Sequence, residues 1–213
     1  MKNLIIIGAG GFGREIYNMA TQCEGYNSEF IVKGFLDDNV NALAKFNDYP
    51  AVLSSLKNYE LCSDDIFACA IGNVDMKKNI IQNILQKKGK FISLIHPSVS
   101  ISKSVEVGIG CIIFQNASIG CDSQIGDHVL IQNSAVVGHD VKIGDYSRLD
   151  SFVVTVGGCI VENEVTIHTS AVINKNIRVK KYATVGALSF VIRNVKEQST
   201  VYGNPAMVLS TGK

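Results

Sequence analysis

The sequence predicts two units of different class: an α/β Rossmann-like unit with a short parallel sheet over residues 1–95, and an all-β parallel helix of hexapeptide repeats over residues 96–213. Three observations carry this expectation. From Ile101 to Val191 every sixth residue is aliphatic, with Thr155 the single interruption. A period of six fits neither a helix nor an ordinary strand and is the mark of a parallel β-helix. Two places before most of these residues sits another small or β-branched one, such as Cys111, Ala117, Ser123 and Val129, so each unit points two side chains inward. In the first half, the apolar run Leu4–Ile7 empties into Gly8-Ala9-Gly10-Gly11-Phe12-Gly13 and then a helical pattern, which is the order strand, glycine-rich turn, helix.

In that context backbone N–H groups at the helix start can cradle phosphate. The same glycines also make a tight βα turn in any doubly wound domain, and the residues alone leave both readings open. A second strand, 30–36, ends in Asp37-Asp38, where a Rossmann domain holds a ribose hydroxyl. Residues 39–59 read as irregular, with Ser54 as the N-cap of a short helix. A third strand over 66–71 ends at Gly72, a helix follows over 74–88 with Gly89 as its stop, and 91–95 is a fourth strand. Ligands of open α/β sheets bind at the C-terminal ends of strands, where these glycines and acids gather. Four strands make half a dinucleotide fold, so a mononucleotide or nucleotide-sugar fits better than NAD.

In the repeats, three hexapeptides make one coil, so each inward residue stacks on its counterpart eighteen positions on. Glycines at 108, 120, 126, 138, 144 and 186 follow inward residues and read as tight corners. The core is a column of Ile and Val, which puts function on the outside or between chains. Among the histidines, His96 reads as a turn residue, and His128 and His168 as solvated surface groups. His139 follows the corner Gly138 and precedes Asp140, whose carboxylate can fix the imidazole tautomer as a general base requires.

Charge excludes other classes. With 20 Lys and Arg against 19 Asp and Glu the net charge is +1, which offers no basic face for nucleic acid. No apolar run approaches a membrane span and Leu4–Ile7 is too short for a signal peptide, so a cytoplasmic protein without membrane insertion is expected. The six cysteines form no Cys-x-x-Cys pair, and no metal site is expected.

Taken together, Gly8 to Glu15, Gly34 to Asn39, Ala70 to Asn73, Ile95-His96-Pro97, Gly138-His139-Asp140, Ile143 to Tyr146 and Gly203-Asn204-Pro205-Ala206 resemble, in order and spacing, the hexapeptide-repeat sugar acyltransferases with an N-terminal Rossmann-like domain. That family includes the bacillosamine-pathway N-acetyltransferase and sialic acid O-acetyltransferases. The resemblance implies a left-handed β-helix, although the usual crossover rule gives the opposite hand. It also implies a homotrimer with active sites between protomers, acetyl-CoA as donor, and a nucleotide-linked 4-amino-4,6-dideoxy sugar as acceptor. Sialic acid O-acetylation and a non-catalytic nucleotide-binding trimer remain as alternatives, as does a zinc lyase on the same repeat, whose histidine spacing this chain lacks. By the same resemblance His139 is the base, Asp140 its partner, and Gly157 a backbone donor to the acetyl oxygen. Gly10, Gly11, Phe12, Asp37, Asp38 and Gly72 line the nucleotide-sugar, while Thr169, Ala187, Gly203, Asn204 and Pro205 line the CoA groove with Gly157 and Arg148. Phe12 and Arg148 stand where many relatives have histidine; Arg148 cannot be a base but can hold an anion or the thioester oxygen.

Overall fold

A computed structural model describes residues 1–212. The chain divides into two compact units at Pro97/Ser98.

The first unit is a five-stranded parallel sheet in the order β3-β2-β1-β4-β5: β1 Lys2–Ile7, β2 Phe30–Leu36, β3 Val52–Ser54, β4 Asp65–Cys69 and β5 Lys90–Phe91. Two helices, α1 Gly11–Ala20 and α2 Val74–Gln86, supply the crossovers. Leu4, Ile5 and Ile6 are fully buried because β1 lies at the centre of the sheet. Ile16 and Met19 bury the inner face of α1, and Gly13 lets the helix pack directly on the turn before it, since a Cβ there would collide with Gly8 O.

Two expectations fail here. Val52–Ser54 is a strand paired with β2 (Phe35 opposite Val52, Leu36 opposite Ser54), and Ser54 caps no helix; three residues are too few to show a period. At the end of α2 the left-handed residue is Lys88, with φ of 64°, and not Gly89. Gly89 is required for space, because a Cβ would meet the Ile84 side chain.

The second unit is a parallel β-helix of two-residue strands on three walls, each strand hydrogen-bonded to its counterpart eighteen residues away. Wall one holds Ser100–Ile101, Ser118–Ile119, Val136–Val137, Val154–Thr155, Val172–Ile173 and Phe190–Val191. Wall two runs from Glu106–Val107 through Lys142–Ile143 to Arg178–Val179. Wall three includes Ile112–Ile113, Leu130–Ile131, Arg148–Leu149, Thr166–Ile167 and Thr184–Val185, and then the hairpin Ser199–Tyr202 with Met207–Thr211.

The inward column is buried from Ile113 to Val191, whereas the first rung, Ile101, is 41% exposed. Each fully buried Ile or Val contributes about 1.5–3 kcal/mol relative to exposure, so the column supplies most of what holds the coils together. Buried serines on the inner positions are satisfied: Ser123 Oγ donates to Gly138 O at 2.8 Å and accepts from Val141 N–H at 3.1 Å.

The corner glycines have a different reason from the one expected. At these corners the left-handed residue comes two places after the glycine and is usually not itself a glycine, as at Asp122, His128, Asp140, Tyr146 and Leu188. Glycine is instead required by the next coil: a Cβ on Gly138 would stand 2.7 Å from Gly157 N and 2.8 Å from Thr155 O. One histidine reading also changes. His128 is 7% exposed and stacks on Tyr146, ring centroids 5.2 Å apart, because its left-handed backbone lays the ring against the next coil.

Candidate active site

His139 stands on the corner between walls one and two, and its backbone is clamped from both sides. Gly138 N–H donates to Thr155 O at 2.8 Å, Asp140 N–H to Cys121 O at 3.0 Å, and Gly158 N–H to His139 O at 2.9 Å. His139 Nδ1 and Asp140 Oδ2 are 2.6 Å apart, with the side chains 59% and 65% exposed. The carboxylate accepts from Nδ1–H, which assigns the tautomer and leaves Nε2 as the acceptor.

One coil on, Gly157 lies under that ring. A Cβ at 157 would collide with His139 Nε2 and stand 2.6 Å from Cε1, so the imidazole fills the space a side chain would take. On the next corner of the prism, between walls two and three, the N–H at this step is consumed: Ile109, Asp127 and Asp145 donate to the side-chain oxygens of Asp127, Asp145 and Asn163. Gly157 has Lys175 one coil on, which offers no acceptor, and its N–H donates to no group among the described residues. The corner thus presents an oriented base and an uncommitted donor together. Thr155, the break in the column, is fully buried, and its carbonyl holds Gly138 N–H.

Cys121 occupies the same corner one coil before His139 and is exposed, a neighbour that sequence adjacency does not reveal. The hydrogen-bonded Asp122 carboxylate, with Asp140 adding its charge, pushes the Cys121 thiol up and disfavours the nucleophilic thiolate.

A second polar cluster lies on and beside wall three. Asp150 is 4% exposed and accepts from Arg148 Nε through Oδ1 and from His168 Nδ1 through Oδ2, the latter at 3.0 Å. His168 is therefore held by a carboxylate and is not the freely solvated group expected. The register was the available signal, because 150 and 168 are eighteen apart. Within one protomer Arg148 does not join His139, since they stand on different faces of the prism. Thr169, Ala187 and the Gly203-Asn204-Pro205 turn share the edge between walls three and one: Leu188 N–H donates to Thr169 O at 3.0 Å and Phe190 N–H to Gly203 O at 3.0 Å.

In the first unit the Gly8–Gly13 turn is open. Nothing lies within 4 Å of a Cβ built on Gly10, and α1 begins with no side-chain cap and no acid in its first turn. Asp37 Oδ2 accepts from Ala9 N–H at 2.8 Å and Oδ1 from Asn39 N–H at 2.9 Å, which ties the turn to the end of β2. Asp38 is exposed, and Gly72 follows the end of β4. Among the described residues no group of three His, Cys, Asp or Glu side chains is placed to hold a metal ion, and no helix is long and apolar enough to cross a membrane.

A parallel-sheet unit with an open glycine turn, joined to a hexapeptide β-helix with a histidine–aspartate corner, defines the two-domain class of hexapeptide-repeat proteins. Residues 3–84 match the PglD N-terminal domain and residues 122–157 the bacterial transferase hexapeptide (six repeats). It is 32% identical over 117 residues to the UDP-N-acetylbacillosamine N-acetyltransferase of Bacillus subtilis, covering 53% of this chain and 51%, about half, of that relative's length. The acetyltransferase domain of PglB from Neisseria gonorrhoeae, in complex with acetyl coenzyme A, superposes with a TM-score of 0.88 at 27% identity over 98% of this chain and 99% of that one. PerB from Caulobacter crescentus, in complex with CoA and GDP-perosamine, shares the fold with a TM-score of 0.86 at 24% identity over 99% and 98% of the two chains.

Proposed function

We propose that the protein is an acetyl-CoA-dependent N-acetyltransferase acting on a nucleotide-linked 4-amino-4,6-dideoxy sugar by direct transfer. The observation that carries the reading is the His139–Asp140 pair lying on Gly157 with an uncommitted N–H beside it. The relatives named above, which acetylate nucleotide amino sugars or bind acetyl coenzyme A, support the substrate classes.

Acetyl-CoA supplies the activated acyl group as co-substrate. His139 Nε2 takes the proton from the sugar amine as the nitrogen bonds to the thioester carbonyl, and Asp140 stabilises the imidazolium. Gly157 N–H donates to the oxyanion, and the Arg148 guanidinium of a neighbouring copy adds positive charge. His139 then returns the proton to the departing thiolate as the carbon–sulfur bond breaks. Gly10, Gly11 and Phe12 hold the phosphates of the acceptor, with Asp37, Asp38 and Gly72 beside the nucleoside. Thr169, Ala187 and Gly203-Asn204-Pro205 form the edge that takes CoA.

The assembly is a homotrimer. Outward residues of wall one make an apolar stripe, Val136, Val154, Val172 and Phe190, bordered by Val156 and Ile192, with Val136 39% exposed. Wall one is flanked by both the His139 edge and the Thr169 edge, so packing copies through it sets one copy's base against another's CoA edge.

The test is CoA thiol release from acetyl-CoA with a panel of UDP-, dTDP- and GDP-linked 4-amino-4,6-dideoxy sugars and free sialic acid. Release with a nucleotide-linked amine is expected. Release with sialic acid alone identifies an O-acetyltransferase, and nucleotide binding without release under any acceptor identifies a non-catalytic binder.

A further inference from the structure

One cation of the first unit is held in place without a counterion. Arg14 lies in the first turns of α1, one residue beyond Gly13. Its guanidinium carbon sits 3.8 Å from the centroid of the Phe46 ring, which comes from the segment between β2 and β3. A terminal nitrogen reaches to 3.8 Å from a Cβ built on Gly11, so the group lies along the glycine turn. Nε is buried with no hydrogen-bond partner, and the guanidinium forms no ion pair among the described residues. Asp37, which ties the turn to the end of β2, accepts from the amides of Ala9 and Asn39. A buried, unsatisfied guanidinium nitrogen carries a desolvation cost that a structural role alone does not offset. An anion in the open turn would meet the terminal nitrogens and offset the charge of the group.

We propose that Arg14, braced on Phe46, is a binding residue for the diphosphate of the acceptor, contributing a cationic side-chain donor on a turn where Phe12 offers none. The inference rests on the nucleotide-sugar reading of the first unit. A planar fork anchored on one face by an aromatic ring is pre-organised to meet phosphate oxygens with its edge, at little further entropic cost. Specificity follows from the charge: the group recognises the diphosphate common to UDP, dTDP and GDP and does not distinguish the bases.

The experiment is calorimetric titration of the full chain with UDP, dTDP and GDP and with the corresponding nucleosides, using acetyl-CoA as a control ligand for the β-helix. Arg14→Gln is expected to weaken the best diphosphate about 10- to 100-fold while leaving the nucleoside and acetyl-CoA affinities unchanged. Arg14→Lys restores part of the loss because it keeps the charge and loses the fork. Phe46→Leu keeps the cation and removes its brace, and a loss of about 3- to 10-fold is expected. This variant decides the matter if Arg14→Gln does not fold. Diphosphate binding by the wild type that both variants retain within twofold overturns the role of Arg14 and leaves the nucleotide-sugar reading standing. A wild type that binds none of the three diphosphates overturns that reading and this inference with it.

Discussion

His139–Asp140 and His168–Asp150 both couple an imidazole Nδ1 to a carboxylate, at 2.6 and 3.0 Å, on neighbouring edges of one β-helix. Their surroundings differ. Asp140 is a corner residue in the left-handed conformation, 65% exposed, with the histidine as its only side-chain hydrogen-bond partner among the described residues, so the pair is open to a reactant. Asp150 is almost wholly buried and is shared with Arg148, so its charge is committed to holding two side chains on successive coils. Burial makes a carboxylate a good anchor because an unpaired one would be costly. Exposure beside an uncommitted N–H leaves the other pair free for chemistry.

Substitutions at the two aspartates should separate along that line. Asp150→Ala leaves Arg148 and His168 without their buried anchor and should cost about 3 kcal/mol of unfolding free energy, measured by urea denaturation. Gly157→Ala places a Cβ where the His139 ring lies, and a loss of about 100-fold in kcat with an unchanged Tm is expected. Asp140→Asn should lower kcat about 10-fold and leave the denaturation midpoint in place, because an exposed pair contributes little to stability. Equal stability losses at Asp140 and Asp150 would erase the distinction.

The smallest effect concerns a third charged cluster, which is structural. Burial pushes the Asp65 carboxyl up, but Cys62 N–H, the Tyr59 hydroxyl and Lys33 outweigh it and hold the group below the usual carboxylate range. A depressed folded value gives stability that is present above the unfolded carboxylate range and lost as pH falls through the folded one. Tm should therefore fall on acidification from pH 5 to about pH 3, and Asp65→Asn should flatten that slope.

The ladder was legible in the sequence because each coil must present one apolar residue per wall, and an eighteen-residue register then follows. The His139 corner emerges from the same ruler, whereas Gly157, eighteen residues on, is implied by the family resemblance. Four features escaped. Val52–Ser54 is too short to carry a period, and its pairing with β2 is a long-range fact. Apart from Gly110 and Gly158 the left-handed corner residues are not glycines, so the glycines at 108, 120, 126, 138, 144 and 186 marked the corners for a different reason, close approach of neighbouring chain. His168 reads as a surface group within its own hexapeptide, and only the register reveals Asp150 as its partner. Cys121, likewise, is adjacent to His139 in space and not in sequence.

The most direct measurement is single-turnover acetyl transfer by His139→Ala at saturating acetyl-CoA and acceptor. The account predicts a fall of about 10²- to 10⁴-fold in the transfer rate with binding of both substrates unchanged. Transfer at the wild-type rate would remove His139 from the reaction.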